Sequence, residues 1–229
     1  MLNASLSTPF EARPIRDIAY ENLKRAIVTG ELPAGSRIVE TTYAVQLHIS
    51  RTPLREALRK LEQDGLVEYQ PHRGVVVRAF TLADVKEIYT IRNALELLTL
   101  PAIVENATPE DIAQLREILA QMDPLEQNLD VEQLSPLARE FHTRLTAISG
   151  MKRIIAVIQS QDEYIRRFSE VSISHEERRH QAHLEHHQLV NLVEKKDLSG
   201  FTTLMKKHIQ RSMETCLKAL EKSKLKKNG

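Results

Sequence analysis

The run Ser50-Arg51-Thr52-Pro53-Leu54-Arg55-Glu56-Ala57-Leu58 sets two arginines and two hydroxyls at the start of a segment whose Leu54, Ala57, Leu58 and Leu61 recur at helical spacing. Such a helix start suits nucleic acid. First-turn amides and hydroxyls take phosphate oxygens, and an arginine fork reads the O6 and N7 edge of guanine for roughly 1–3 kcal/mol of discrimination. Pro53 fits there, because first-turn amides lack an intrahelical acceptor. A solvated basic helix start is the plainer reading of the same residues. From Arg51 to Arg78, six basic residues (Arg51, Arg55, Arg59, Lys60, Arg73, Arg78) stand against four acidic ones (Glu56, Glu62, Asp64, Glu68). With a net charge of only +1, position rather than total charge marks the stretch.

Nine histidines offer a second chemistry. Within His180-Gln181-Ala182-His183-Leu184-Glu185-His186-His187, the spacing groups His186 with Ala182, Leu189, Val190 and Val193 on one helical face. His183 and His187 fall toward its edge, and His180 precedes it. His208 belongs to a stripe with Phe201, Leu204 and Ile209, and His142 lies beside Leu134, Leu137, Phe141, Leu145 and Ile148. Three helices thus offer one inward imidazole each. Singly, each reads as a hydrogen-bonded core residue. Together they can hold Zn²⁺ or Ni²⁺ and leave positions open to water or a carboxylate. Arg92 and Glu96 share an inward face with Val85, Ile88 and Leu95, either as an i,i+4 tie within the fold or as a frame for an effector carboxylate.

Positioning these groups requires two kinds of architecture. Ile15, Ile18, Ala19, Leu23, Ala26 and Ile27 predict a helix over Ile15 to Val28, stopped by Gly30, Pro33 and Gly35. A short helix follows at Thr41 to Leu47, then a third capped by Ser50 and ended by Asp64-Gly65. Leu66 to Tyr69 and Val75 to Val77 predict two strands around Pro71-His72-Arg73-Gly74. Three helices and a β-hairpin make a winged helix-turn-helix. From Thr81 onward the pattern is one of long amphipathic helices, with breaks expected near Ala107-Thr108-Pro109, Met122-Asp123-Pro124, Ser135-Pro136, Ser149-Gly150 and Ser199-Gly200. Thr81 with Asp84, and Thr108 with Asp111, read as capping boxes. No strand signal returns, so this part is an all-α antiparallel bundle.

The expected organisation is a flexible arm (1–13), a winged-helix DNA-binding domain (14–79), an all-helical effector-binding and dimerisation domain (80–222) and a basic, frayed tail (223–229). Hydrophobic residues at 41% and only seven glycines in 229 residues fit a mainly α, helix-rich globular chain. A lone cysteine, Cys216, and the lack of a secretory segment predict a cytoplasmic location. No apolar run approaches the ~20 residues that span a bilayer.

The stretch from Ala26 to Gly74 resembles the N-terminal domain of the GntR family of bacterial regulators. The resemblance rests on Ile27, Gly30, Leu32-Pro33, Gly35, Arg37, Glu40, Ser50-Arg51-Thr52-Pro53, Arg55-Glu56-Ala57-Leu58, Leu61, Gly65-Leu66-Val67 and Gly74. It implies that Ser50, Arg51, Thr52, Pro53 and Arg55 face DNA and that the wing around His72, Arg73 and Gly74 approaches the minor groove. Two positions depart from the pattern: His48 stands where the turn usually has glycine, and Tyr43 replaces a leucine. Residues 81–220 resemble the FCD effector domain of FadR-like regulators through Arg92, Leu95-Glu96, Phe141-His142, His186, Asp197 and His208. That resemblance implies a metal held by His142, His186 and His208, and places Arg92 by the ligand cavity. The family aspartate one turn before His142 is Ala138 here, which should weaken metal binding, and Met151 replaces a usual asparagine.

The expected protein is a homodimeric, sequence-specific transcription regulator, with no membrane partner, binding a pseudo-palindromic double-stranded DNA operator under control of a small-molecule carboxylate, an organic or sugar acid. The alternatives are a metal-dependent hydrolase joined to a nucleic-acid module and an effector-free architectural DNA binder. An enzyme is disfavoured, since the chain has no His-Glu-x-x-His, no Gly-rich phosphate loop and no Gly-x-Ser-x-Gly elbow.

Overall fold

A computed structural model describes residues 13–161, 164 and 174–227. Most of the expected N-terminal arm, residues 1–12, lies outside the described residues. The chain divides into two compact units between Phe80 and Thr81.

The first unit runs α1 (Ile15–Thr29), β1 (Arg37–Ile38), α2 (Glu40–Gln46), α3 (Arg51–Gln63), β2 (Val67–Gln70) and β3 (Gly74–Val77). The expected hairpin is part of a three-stranded antiparallel sheet, ordered β1-β3-β2. Strand β1 was not expected; two residues are too few to show alternation. Its Arg37 and Ile38 pair with Val76 and Val75, while Val67 to Gln70 pair with Val77 to Gly74. Leu54, Ala57, Leu58 and Leu61 of α3 are buried with Leu23 and Ile27 of α1 and with Val76 and Val77 of the sheet. Each fully buried leucine contributes roughly 1.5–3 kcal/mol of burial. The Tyr20 hydroxyl bonds the Asp64 carboxylate, and the Lys60 ammonium lies 4.0 Å from the Tyr20 ring centroid, tying α1 to α3.

Two local expectations need correction. Ile15 and Ile18 are 56% and 48% exposed: the buried stripe of α1 begins at Ala19, and Ile15 sits in the opening turn, where solvent reaches it. Ser50 occupies the N-cap of α3, but its side chain accepts no capping hydrogen bond from the first turn. The turn before it accommodates His48 in left-handed geometry, at φ +53°, a region that histidine enters more readily than most side chains.

The second unit contains α4 (Leu82–Asn106), α5 (Pro109–Gln127), α6 (Val131–Ala147), α7 (Lys152–Ser160), α8 (Glu176–Glu194) and α9 (Leu198–Lys227). Both threonine–aspartate capping boxes form, opening α4 and α5. The breaks expected at Met122-Asp123-Pro124 and Ser135-Pro136 do not occur; the chain turns instead at Asn128 to Asp130. Pro124 lies in the last turn of α5 and Pro136 near the start of α6, so each removes one ladder bond. Burial of Leu119 and Met122 around the first, and of Leu134, Ala138 and Phe141 around the second, offsets that loss. The helix α9 continues to Lys227, where a frayed tail was expected. Within the unit, α4 packs on α9, α5 on α6 and α8, and α8 on α9. Lys196 donates to the Val104 and Ala107 carbonyls at 2.6 and 2.9 Å, closing the end of α4. Among the described residues no helix is long and apolar enough to cross a membrane.

Candidate functional site

The apolar face of α3 is held down by the core, which turns its other face outward. Ser50, Arg51, Thr52 and Arg55 are all exposed and Pro53 is half-buried. In the wing, His72 and Arg73 are exposed, Gly74 is half-buried, and both His72 (φ +63°) and Gly74 (φ +75°) adopt left-handed geometry that makes the tight turn. One residue to which sequence reasoning gave no role organises the arginines. The Glu40 carboxylate, in the first turn of α2, accepts a hydrogen bond at 2.7 Å from Arg55 Nε and another at 3.3 Å from Arg51 Nη2 through the same oxygen. The pair is solvent-exposed, so its effect lies in orientation more than in stability.

In the second unit His142 of α6, His186 of α8 and His208 of α9 converge. Their ring centroids are separated by 5.0, 5.1 and 5.0 Å, a nearly equilateral triangle, and one ligand nitrogen from each lies within 4.8 Å of the others. The Nε2 atoms of His142 and His186 stand 3.2 Å apart. His208 turns Nδ1 to Glu185 at 2.8 Å, leaving Nε2 for the centre. Burial pushes the His142 and His186 imidazoles well below their ordinary range; neighbouring rings and the charge of Arg178 push the same way, joined at His142 by that of Arg92. His208 is lowered by burial too, against the pull of Glu185. Neutral imidazole is the form that ligates metal.

Behind this triangle lies a polar layer that the sequence reading missed. Glu185 is fully buried and receives His208, Arg178 (Nη1, 3.0 Å) and Arg211. Burial alone would raise its carboxyl, but the His208 bond and the two guanidiniums hold it down to about 2. Arg178 also donates to the His208 carbonyl and the Ser212 hydroxyl, both at 3.0 Å. Arg92 is buried with its Nε 2.5 Å from Glu96 Oε1. Ala138, buried on α6, lies one turn before His142, and among the described residues no carboxylate joins the three imidazoles as a ligand.

The donor set nonetheless fits a divalent ion such as Zn²⁺ or Ni²⁺: three convergent neutral nitrogens, one of them oriented by a carboxylate behind it. Sequence spacing placed His183 at the edge of α8, whereas it is buried against α5, with its Nε2 2.7 Å from Asp123 Oδ1. The packing of α5 over that side of α8 is a tertiary fact invisible to periodicity.

These two units correspond to two known domains. Residues 16–77 match the model of the bacterial regulatory proteins of the gntR family, and residues 87–211 match the FCD domain. The chain is 28% identical over 206 residues, 90% of its length and 92% of the relative's, to the HTH-type transcriptional regulator YdhC of Bacillus subtilis. It is 32% identical over 138 residues, 60% of this chain and 62% of the relative, to the HTH-type transcriptional regulator McbR of Escherichia coli. The solved structure of E. coli McbR/YncC superposes with a TM-score of 0.70 at 24% identity, over 91% of this chain and 99% of that one, and shares the fold. The chain belongs to the GntR family, in its FCD-containing form. It is a transcription regulator and not an enzyme.

Proposed function

We propose that this regulator, of the FadR-like branch, binds a pseudo-palindromic DNA operator as a homodimer in the cytoplasm and that a small organic or sugar acid changes its operator affinity. Ser50, Arg51, Thr52, Pro53 and Arg55 enter the major groove and His72, Arg73 and Gly74 approach the minor groove. The observation that carries the effector half of this reading is the triangle of His142, His186 and His208 with positive charge beside it. A divalent ion there would supply charge and open coordination positions for a carboxylate. The residues around it have complementary tasks: Glu185 fixes the His208 tautomer, and Glu96 holds Arg92 at the edge of the site. With Ala138 in place of a ligating carboxylate, three neutral nitrogens leave the ion's charge uncompensated, which favours an anionic ligand from outside. The effector need prefer one arrangement of the paired readers by only ~1–3 kcal/mol.

The test is a thermal-shift screen of chelator-treated protein against carboxylic and sugar acids, with and without Zn²⁺ or Ni²⁺. An acid that raises the melting temperature only when metal is present, and that shifts operator affinity under the same conditions, is the expected result. Metal-independent stabilisation would move the binding role to Arg92 and the imidazole N–H groups. No response to any acid would favour a DNA binder without an effector.

A further inference from the structure

Two helices of the second unit carry another set of ligating groups, separate from the triangle. In the last turns of α5, Asp123 and Glu126 are three residues apart; on α8, His180, His183 and His187 follow at spacings of three and four, which align them on one helical face. The two rows meet. His183 Nε2 lies 2.7 Å and His187 Nε2 3.0 Å from the same oxygen, Asp123 Oδ1, and His180 Nδ1 lies 3.2 Å from Glu126 Oε1 one turn away. The His183 and His187 rings stand edge to face at 4.9 Å. One nitrogen from each and one Asp123 oxygen lie within 4.8 Å of one another.

We propose that Asp123, His183 and His187 form a second divalent-cation site, which clamps the end of α5 to α8. Two ligand atoms on a common ion, bonded at ~2.0–2.2 Å in tetrahedral geometry, stand about 3.3–3.6 Å apart. The observed 2.7 and 3.0 Å therefore need to open by only several tenths of an ångström. The site can give that much, because the Asp123 and His187 side chains are 44% and 39% exposed while His183, at 9%, anchors the position. Two nitrogens and one carboxylate oxygen select Zn²⁺, Co²⁺ or Ni²⁺ over Mg²⁺ or Ca²⁺, which require oxygen ligands. Exposure on one side leaves room for water to complete the coordination. This site includes the carboxylate that the triangle lacks. His186 lies between His183 and His187 in sequence but is turned about 100° from His187 around the helix, so α8 presents two centres on adjacent faces.

The site stands independently of the effector reading, and its test is arranged accordingly. Zn²⁺ bound per chain is measured by equilibrium dialysis with elemental analysis, at micromolar free Zn²⁺, on chelator-treated wild type, Asp123→Asn, His187→Gln and His142→Gln. Asp123→Asn and His187→Gln, at partly exposed positions, should each bind one equivalent less than wild type, whether or not the triangle loads. His142→Gln should keep this equivalent and lose at most that of the triangle. Melting curves in chelator check that the variants fold; in Zn²⁺ the wild type and His142→Gln should gain stability through this site that Asp123→Asn does not. If Asp123→Asn and His187→Gln bind as much Zn²⁺ as wild type, or if wild type takes up none, the site does not exist.

Discussion

Glu185 shows how much the geometry of the histidine triangle depends on one buried side chain outside it. Its carboxylate receives the His208 ring, directing the other nitrogen of that ring toward His142 and His186, and compensates two guanidiniums, one of which, Arg178, is itself buried. Replacing it by glutamine keeps the size and one acceptor but removes the charge. We expect Glu185→Gln to weaken Zn²⁺ binding at the triangle 10- to 100-fold, the range for carboxylates that orient a histidine ligand. Leaving Arg178 uncompensated should also cost about 3–5 kcal/mol of stability. Denaturant melts read the second effect and chelator competition the first. Full metal affinity in a destabilised variant would reduce Glu185 to a partner of the arginines.

At the scale of elements, α3 is fixed by its buried stripe while α2 contributes Glu40 to hold the two arginines on the free face that we propose reads DNA. Arg51→Ala and Arg55→Ala should each weaken binding to an operator, selected from random duplexes by the wild-type protein, by roughly 5- to 150-fold, corresponding to ~1–3 kcal/mol. Glu40→Gln removes a negative charge and releases both forks. Its affinity for a scrambled duplex should rise while its preference for the operator falls, measured in matched salt; an unchanged ratio of the two affinities would deny Glu40 a positioning role. The winged helix was legible because its signals are local: the stripe of α3, the turn at Asp64-Gly65 and the wing around Gly74. The triangle was legible as well, since each histidine lies on or beside an apolar stripe. What failed to show was set by tertiary contact. Prolines 124 and 136 look like helix breaks until the burial of Met122 and Phe141 is known. The hydrogen bond from His208 to Glu185, 23 residues apart on different helices, leaves no mark in spacing.

For the whole molecule, one helix face points to the assembly that we propose for reading a two-fold operator. Ile91, Ala94, Leu98 and Pro101 are exposed along α4 at spacings of three and four, Leu98 to 60%. A row of apolar residues with that period is the seam by which helices pair, and a two-fold axis beside it would bring the same row of a second copy against the first. The second unit has its own buried core, with Leu100, Leu115, Phe141, Leu189 and Phe201 inside it, so it should carry this property without the reader. A fragment beginning at Thr81 is expected to sediment as two chains at micromolar concentration. Leu98→Asp, a change at an exposed position, should convert it to a folded monomer and weaken operator binding by the full-length chain, since each reader would then bind its half-site alone. A dimeric Leu98→Asp fragment would move the interface off α4, and a monomeric wild-type fragment would assign dimerisation to the reader.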